Sequence, residues 1–296
     1  MGGLRPSGLH INKPVVFGLF GIALVVFIVT RVYMGGGLAG GVASRVFQIG
    51  SRPTVVNPSG AGRGMEPVVN ASKLDALPAL PPDGTLVKKE EQFKVTVAGQ
   101  TLNVQVVQMM NSKTDVSNAL TVFFLHGAAF SSQNWVDIKT LDHVANWGYR
   151  SIAIDLPGKG KTADTISTAH YVDFLSAFIQ AMGMTKIVIV SPSMSGGYAL
   201  PYLFNDPKTS TDRAVGYVPV APVQTSAFRK QYPESQLPTL IVYGTKDSMA
   251  ETVLNDLSLL PKHEAAPIEG AGHACYMNNP EAFHKVLYHF LKGLTS

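Results

Sequence analysis

Three residues of this sequence, Ser193, Asp247 and His273, carry side chains that together could perform nucleophilic catalysis. A serine hydroxyl is a weak nucleophile until a histidine accepts its proton, and a carboxylate then holds the imidazole in the required tautomer. Serine, aspartate and histidine follow one another here in one of the three chain orders known for such triads. The sequence therefore suggests Ser193 as nucleophile, His273 as base and Asp247 as the acid that orients it.

Ser193 follows an uncharged β-branched run, residues 187–190, and precedes the start of a helical pattern. Such a run predicts a parallel strand buried on both faces. A serine at the tip of a sharp strand-to-helix turn is typical of a nucleophile elbow, whose consensus is G-x-S-x-G. In this chain the turn is S-P-S-M-S-G, so Ser191 and Ser195 stand where glycines are usual.

The elbow pattern alone leaves two alternatives open. A serine-rich loop between a strand and a helix often does no more than cap the helix. A second register places Ser195 at the tip, with Ser193 and Gly197 as its small neighbours. The predicted strand end at Val190 favours Ser193, because the tip of an elbow lies about three residues beyond its strand.

The rest of the chain indicates where these residues lie. A predicted hairpin, residues 92–97 and 101–109, is followed by alternating strand and helix patterns, which predict an α/β fold with a mostly parallel sheet and helices on both faces. Ligands of such sheets bind at the carboxyl ends of the strands. Ser193, Asp247 and His273 each follow a predicted strand, so we expect them at one edge of the sheet.

Two backbone N–H groups are candidates for stabilising an oxyanion. Met194 directly follows the candidate nucleophile, and Ala128 follows a His126-Gly127 step at the end of another predicted strand. His126 itself is expected to close that strand and support the loop.

Asp155 and Cys275 are alternatives for the acid and the nucleophile. Asp155 also follows a predicted strand, but the Pro-Gly after it indicates a turn. Cys275 is the only cysteine, so no intrachain disulfide is possible. It lies close to His273 in sequence but on no elbow, and no base is evident for it.

The first residues predict a membrane anchor. The chain is uncharged and almost wholly apolar over residues 14–30; extended over residues 14–34 it reaches the ~20 residues of a spanning helix. We therefore predict a short tail, residues 1–13, and an uncleaved signal anchor, residues 14–34. A signal peptide cleaved near Ala43 is the alternative.

A Gly-, Pro- and Ser-rich segment without periodicity, residues 35–84, predicts a stalk before the globular domain, residues 85–296. Asn70-Ala71-Ser72 in this segment is an N-glycosylation sequon. Anchor and sequon together predict a single-pass type II membrane protein with its catalytic domain in the lumen or outside the cell.

Charge and residue clusters argue against other classes of protein. The net charge is +4, and the basic residues are scattered rather than gathered into a stripe with aromatics, so nucleic-acid binding is not expected. No cluster has the spacing of metal ligands, so we expect no metal site.

Residues 92–294 resemble an α/β-hydrolase. The resemblance rests on His126-Gly127, I-D-L-P-G-K-G from Ile154, Y-G-T-K-D from Tyr243 and G-A-G-H from Gly270. The S-P-S-M-S-G elbow and the G-A-G-H-A-C-Y run are similar to the α/β-hydrolase domain-containing protein 14 family, and the apolar N-terminal stretch is similar to its membrane-anchored member. In that family the serine-bearing elbow is the expected form.

These features predict a serine hydrolase that cleaves an acyl ester or amide through an acyl-serine, with no resident cofactor. The resemblance implies a small acyl compound or an acylated protein lysine as donor, and coenzyme A in place of water as an acceptor. The alternative from another class is a non-catalytic interaction module that keeps the fold. Only about twenty residues separate two predicted strands where many α/β-hydrolases insert a lid, so we expect no large lid domain and an open pocket.

Overall fold

The computed structural model describes residues 68–82, 84–115 and 119–295. Its strands are β1 (Leu86–Val97), β2 (Gln100–Asn111), β3 (Thr121–Phe124), β4 (Arg150–Ile154), β5 (Ile187–Pro192), β6 (Gly216–Val220), β7 (Thr239–Gly244) and β8 (His263–Ile268). They form one sheet in the order β1-β2-β4-β3-β5-β6-β7-β8. Strand β2 is antiparallel to both neighbours, and every other neighbouring pair is parallel. The predicted hairpin and mostly parallel sheet are confirmed.

Helices cover both faces of this sheet. They are α1 (Ser132–Asp137), α2 (Thr140–Asn146), α3 (Tyr171–Ala181), α4 (Gly196–Phe204), α5 (Ser210–Arg213), α6 (Ala250–Leu257), α7 (Cys275–Asn278) and α8 (Pro280–Thr295). Buried side chains of α3, α4 and α6 form one core with the sheet, and those of α1, α2 and α8 form a second core. A layer of helices therefore packs on each side.

Strand β5 shows why the apolar run before Ser193 becomes a central strand. Ile187 and Ile189 point into the core with α3, α4 and α6, whereas Val188 and Val190 point into the core on the other side. All four side chains are at most 1% exposed. A strand buried on both faces is continuously apolar because successive side chains alternate between the faces.

One predicted helix is divided in two. In the sequence, Trp135, Ile138, Leu141 and Val144 recur at helical spacing, which predicts a single helix. In the structure α1 ends at Asp137 and α2 begins at Thr140. Between them Lys139 takes a φ of 61°, which no α-helix can contain. The sequence carries no glycine or proline at this point to reveal the break.

The segment between β6 and β7 contains no lid domain. Residues 221–238 carry two short 3₁₀ turns, Thr225–Phe228 and Tyr232–Glu234. The first contacts α4 and α6, and Thr225 Oγ1 donates to the buried Asp256 carboxylate of α6 at 2.6 Å. The expected short insertion is confirmed, and it is held against the body of the domain.

Residues before the predicted domain boundary at residue 85 pack on the domain. Val68 forms a parallel bridge with Ala265 on β8, and the Val69 N–H donates to the Ala265 carbonyl at 2.8 Å. Val69 is buried, and Leu74 packs against the same core. The end of the predicted stalk therefore lies on the domain, because its few apolar residues cover the edge of the sheet.

The predicted tail, anchor and first part of the stalk, residues 1–67, lie outside the described residues. Among the helices that the structure does describe, none is both long and apolar enough to cross a membrane.

A pair of histidines, of which His284 is buried, joins α2 to α8. The His284 side chain is 3% exposed, its Nε2 lies 2.8 Å from Thr140 Oγ1, and its ring centroid lies 4.7 Å from that of His143. Burial, together with the neighbouring His143, lowers the pKa of His284 to about 3. Burial also lowers the pKa of His143. A lowered pKa means that the folded state disfavours protonation of these imidazoles, so low pH destabilises the fold through this contact.

Lowering the pH from about 7.5 to about 5 should reduce the free energy of unfolding by about 2 kcal/mol through His284. In this window the unfolded imidazole gains a proton and the folded one does not, so this stability is present above pH ~6.5 and is lost as the pH falls. Urea unfolding at both pH values measures the effect. His284→Gln should remove most of the difference, whereas His289→Gln, an exposed histidine on the same helix, should leave it unchanged.

Candidate active site

The backbone turns sharply at Ser193. Strand β5 ends at Pro192, two residues later than the sequence predicts, a 3₁₀ turn covers Ser193–Ser195, and α4 begins at Gly196. Ser193 therefore follows the strand directly, and the predicted spacing of three residues between strand and tip is wrong. Ser193 has a φ of 49°, in the left-handed region that residues other than glycine rarely adopt. Such strain persists only where the surroundings fix it, and it is concentrated at functional sites.

The two serines in place of the usual glycines are both buried, and each has a partner. Ser191 Oγ lies 2.7 Å from the Tyr217 hydroxyl, and Ser195 Oγ donates to the Pro192 carbonyl at 2.8 Å. The Ser195 hydroxyl therefore points into the protein, whereas Ser193 is partly exposed.

Gly196 is the position in this turn where no side chain fits. A Cβ there would stand 2.7 Å from Pro222 Cβ and 2.8 Å from the Val223 carbonyl oxygen. The Val223 N–H in turn donates to the Ser193 carbonyl at 3.0 Å. The loop after β6 thus packs directly against the elbow, which explains why the glycine appears one residue later than in the consensus.

The structure brings Ser193, His273 and Asp247 together at the carboxyl edge of the sheet. His273 Nδ1 lies 2.8 Å from Asp247 Oδ2, and His273 Nε2 lies 2.8 Å from Ser193 Oγ. An ionised carboxylate only accepts hydrogen bonds, so Nδ1 carries the proton. Nε2 is then free to accept the proton of the serine hydroxyl.

Asp247 is held as a carboxylate. Its side chain is 4% exposed, and its Oδ1 accepts the Met249 N–H at 3.0 Å. Burial alone would raise its pKa, but the hydrogen bonds from His273 and Met249 outweigh it and hold the pKa below its ordinary value. The group therefore stays charged at neutral pH.

The loops that carry Asp247 and His273 are in close contact. A Cβ on Gly244 would stand 2.2 Å from the Gly272 carbonyl oxygen, so only glycine fits there. The Lys246 N–H donates to the Ala271 carbonyl at 2.9 Å. These contacts fix the separation of the acid from the imidazole.

Two side chains that sequence reasoning missed also hold these loops. Thr245 Oγ1 accepts the Gly270 N–H at 2.9 Å, and Asn278 Oδ1 accepts the Gly272 N–H at 2.9 Å. The sequence offers a signal for Thr245, because this residue directly follows the glycine at the end of a predicted strand. Nothing in the sequence distinguishes Asn278 from an ordinary helix end.

The His126-Gly127 step lies against the elbow. A Cβ on Gly127 would stand 3.6 Å from Ser193 Cβ, which places the following Ala128 at the same edge of the sheet. His126 is fully buried; its Nε2 accepts the Leu156 N–H at 2.9 Å, so its Nδ1–H donates to the Gly127 carbonyl at 2.8 Å. The expectation that His126 supports this loop is confirmed.

Met194, the other candidate oxyanion donor, occupies the first turn after the strand. The first N–H groups of a helix have no partner within it. The Met194 N–H therefore remains a candidate donor to an oxyanion beside Ser193.

The Asp155 carboxylate bonds backbone groups, and the carboxylate at His273 Nδ1 is that of Asp247. The buried Asp155 carboxylate accepts two backbone hydrogen bonds, from the Ser132 and Lys161 N–H groups, each at 2.7 Å. A Cβ on Gly160 would stand 2.1 Å from its Oδ2. Asp155 therefore organises the turn after β4, as the Pro-Gly pair suggested.

Cys275 is buried at the start of α7. It is 0% exposed, and burial raises the pKa of its thiol to about 12. A thiol with that pKa is protonated at neutral pH and is a poor nucleophile.

Treatment of the native protein with iodoacetamide should accordingly leave most of its activity, because alkylation requires an exposed thiolate. Hydrolysis of an acyl ester before and after treatment measures this. Cys275→Ser is the control, since inactivation that requires Cys275 should disappear in this variant. Complete loss of activity both after alkylation and in Cys275→Ser would assign the thiol a catalytic role.

The fold and sequence match known hydrolases. The profile described as "Alpha/beta hydrolase family" matches residues 122–234. Pongo abelii ABHD14B is 36% identical over 212 residues, which cover 70% of this chain and 97% of that protein. The chain belongs to the α/β-hydrolase family. Danio rerio ABHD14A is 41% identical over 180 residues, 59% of this chain and 65% of that protein.

Solved structures agree on the architecture. A Thermoplasma acidophilum protein described as a "predicted CIB-like hydrolase" superposes with a TM-score of 0.60 at 25% identity, over 70% of this chain and 99% of that one. A thermophilic esterase of Thermogutta terrifontis has a TM-score of 0.57 at 15% identity, over 70% and 100%. This second likeness concerns the fold alone.

Proposed function

We propose that this α/β-hydrolase is a serine hydrolase that cleaves an acyl ester or amide. Ser193 attacks the acyl carbonyl, His273 accepts the serine proton and later returns it to the leaving group, and Asp247 orients the imidazole. The N–H groups of Ala128 and Met194 stabilise the oxyanion. The product of the first step is an acyl-serine, which an acceptor then releases.

One observation carries this proposal: a continuous hydrogen-bonded series from Asp247 through His273 to the Ser193 hydroxyl, with 2.8 Å at both links. Both distances lie within the range needed for proton transfer. A non-catalytic module has no need for a strained serine at a φ of 49° facing such a base.

The names of two relatives suggest which molecules could supply the acyl group. ABHD14B of Pongo abelii and of Rattus norvegicus is named as a candidate protein-lysine deacylase. We propose that this chain likewise takes an acyl group from an acylated protein lysine or from a small acyl compound. The acceptor is water or coenzyme A, and the second product, free acid or acyl-coenzyme A, distinguishes them.

A fluorophosphonate probe tests the proposal on the full chain. Covalent labelling at Ser193, together with turnover in a panel of acyl esters and acyl-lysine peptides, would support it. Turnover with and without coenzyme A, followed by mass spectrometry of the products, assigns the acceptor. Absence of both labelling and turnover would favour the interaction module instead.

We propose further that residues 14–34 anchor the chain as a type II membrane protein with a glycan on Asn70. Asn70 is exposed, and its Oδ1 accepts hydrogen bonds from the Ser72 N–H at 3.0 Å and from the Ser72 hydroxyl at 2.8 Å. The acceptor asparagine thus lies on the surface, where glycosylation requires it.

In cells, peptide N-glycosidase should shift the band of the wild-type protein, and Asn70→Gln should have the shifted mobility without treatment. Alkaline carbonate should leave both in the membrane pellet. Release of the full-length protein by carbonate would contradict the anchor. A retained anchor without a glycan would place the domain on the cytosolic side.

A further inference from the structure

The sheet is short of main-chain hydrogen-bond donors directly beneath the elbow. Pro192 is the last residue of β5, and Pro219 lies within the neighbouring central strand β6. Ser191 pairs with Pro219, and Pro192 pairs with Val220. Proline has no N–H, and for this reason it is rarely found inside central strands.

Backbone groups alternate in direction along a strand. The Leu125 N–H bonds the Val190 carbonyl, and the Ala221 N–H bonds the Val242 carbonyl of β7, so Pro192 faces the β3 side and Pro219 faces the β7 side. Near the elbow, β5 and β6 therefore each lack one donor towards their outer neighbour.

This same end of β5 must support a strained residue. Ser193 holds a φ of 49°, and its Oγ must stay within hydrogen-bond reach of His273. In a near-attack arrangement, displacement of a reacting group by about 1 Å can cost ~10²-fold in rate. The end of β5 must therefore be held in place, although Pro192 gives it one main-chain hydrogen bond fewer.

A side-chain hydrogen bond joins the two strands at that point. Tyr217 on β6 pairs with Ile189, and its hydroxyl extends along the strand direction to Ser191 Oγ at 2.7 Å. Both Ser191 and Tyr217 are 0% exposed. The Tyr217 ring lies under α4, with its centroid 6.0 Å from that of Phe204. It is thus packed beneath the helix that follows the elbow.

We propose that Tyr217 is a positioning residue, which acts through Ser191 to fix the elbow and so to aim Ser193 at His273. The Ser191–Tyr217 bond adds a side-chain link between β5 and β6 at the point where Pro192 and Pro219 each weaken the bonding of their strand to its outer neighbour. This role accounts for a serine at position 191, where a glycine could not hold the tyrosine hydroxyl. The inference rests on the proposed role of Ser193 as nucleophile.

A stability role alone makes a different prediction from a positioning role. Removal of one hydroxyl leaves the other buried without a hydrogen bond, which destabilises the fold. Removal of both hydroxyls leaves no buried hydroxyl unpaired, so its effect on stability can be nearly neutral. If the bond only stabilises, the double variant Ser191→Ala/Tyr217→Phe should regain both melting temperature and activity. If the bond positions the elbow, the melting temperature should recover and the rate should not.

The experiment compares wild type, Ser191→Ala, Tyr217→Phe and the double variant in the full chain. The measured quantities are the melting temperature, the rate constant for fluorophosphonate labelling, and kcat and KM for an acyl ester. We expect labelling and kcat to fall about 10- to 100-fold in all three variants with KM nearly unchanged. We expect the melting temperature to fall in the single variants only.

Ser210→Ala is the matched control. Ser210 Oγ lies 2.7 Å from Ser235 Oγ in another fully buried side-chain pair, outside the elbow and the loops of the site. This variant should lose melting temperature as the single variants do and keep wild-type labelling. Equal loss of labelling in Ser210→Ala would attribute the effect to stability and overturn the proposal.

Two further results would also overturn it. One is wild-type labelling in Tyr217→Phe at temperatures where it is fully folded, and the other is recovered labelling in the double variant. Failure of the wild-type chain to label or turn over at all would instead reject the proposed function. The two failures are thus separable.

Discussion

Replacement of Ser193 by alanine is expected to abolish both turnover and fluorophosphonate labelling. Without the Oγ there is no atom to attack the acyl carbonyl, and in serine hydrolases loss of the nucleophile costs roughly 10⁶-fold in kcat. The fold should survive, because Ser193 is partly exposed and its carbonyl, not its side chain, bonds Val223. Circular dichroism and an acyl-ester assay on the same sample measure both.

Ser195→Ala is the matched control for this prediction. The Ser195 hydroxyl is buried and donates to the Pro192 carbonyl at 2.8 Å, whereas His273 Nε2 contacts Ser193 Oγ. Its loss should lower stability by about 1 kcal/mol and keep the label. Mass spectrometry of the labelled peptide places the adduct directly. An adduct on Ser195 would show that the elbow register is two residues later than proposed.

The order of strands and helices could be predicted from the sequence, because the periodicity of each element is a local property of the chain. Continuous β-branched runs such as residues 187–190 become central strands, and each is followed by a turn where the chain must leave the sheet. The division of one predicted helix at Lys139 could not be predicted, because the φ of 61° at Lys139 depends on tertiary packing and no glycine marks the position. The pairing of Val68 with β8 could not be predicted for a similar reason, because two valines in a Pro- and Gly-rich segment give no periodicity.

The candidate site was predicted through strand ends. Ser193, Asp247 and His273 were each expected after a strand, and parallel strands bring such positions to one edge. Contacts between distant side chains could not be predicted this way. Tyr217 lies 26 residues from Ser191, and only the register of β5 against β6 brings their hydroxyls together.

Replacement of Asp247 by asparagine is expected to leave the protein folded and to lower kcat by about 10⁴-fold. An amide can donate to His273 Nδ1 and so favour the tautomer with the proton on Nε2, which cannot then accept the proton of Ser193. It also cannot stabilise the imidazolium that forms during the reaction. Asp247 is charged in the native protein, because its hydrogen bonds lower its pKa despite burial. Asp247→Asn therefore removes a negative charge that the native site carries at neutral pH.

Asp155→Asn is the control that separates a catalytic acid from a structural one. An amide offers a single acceptor oxygen to the two N–H groups of Ser132 and Lys161 that the Asp155 carboxylate accepts. We therefore expect a loss of about 1–3 kcal/mol in unfolding free energy, with kcat per folded molecule unchanged. Urea unfolding and kcat measured on both variants decide the assignment. A 10⁴-fold loss of kcat in Asp155→Asn together with an active Asp247→Asn would mean that the imidazole is oriented by Asp155, against the 2.8 Å contact between His273 Nδ1 and Asp247 Oδ2.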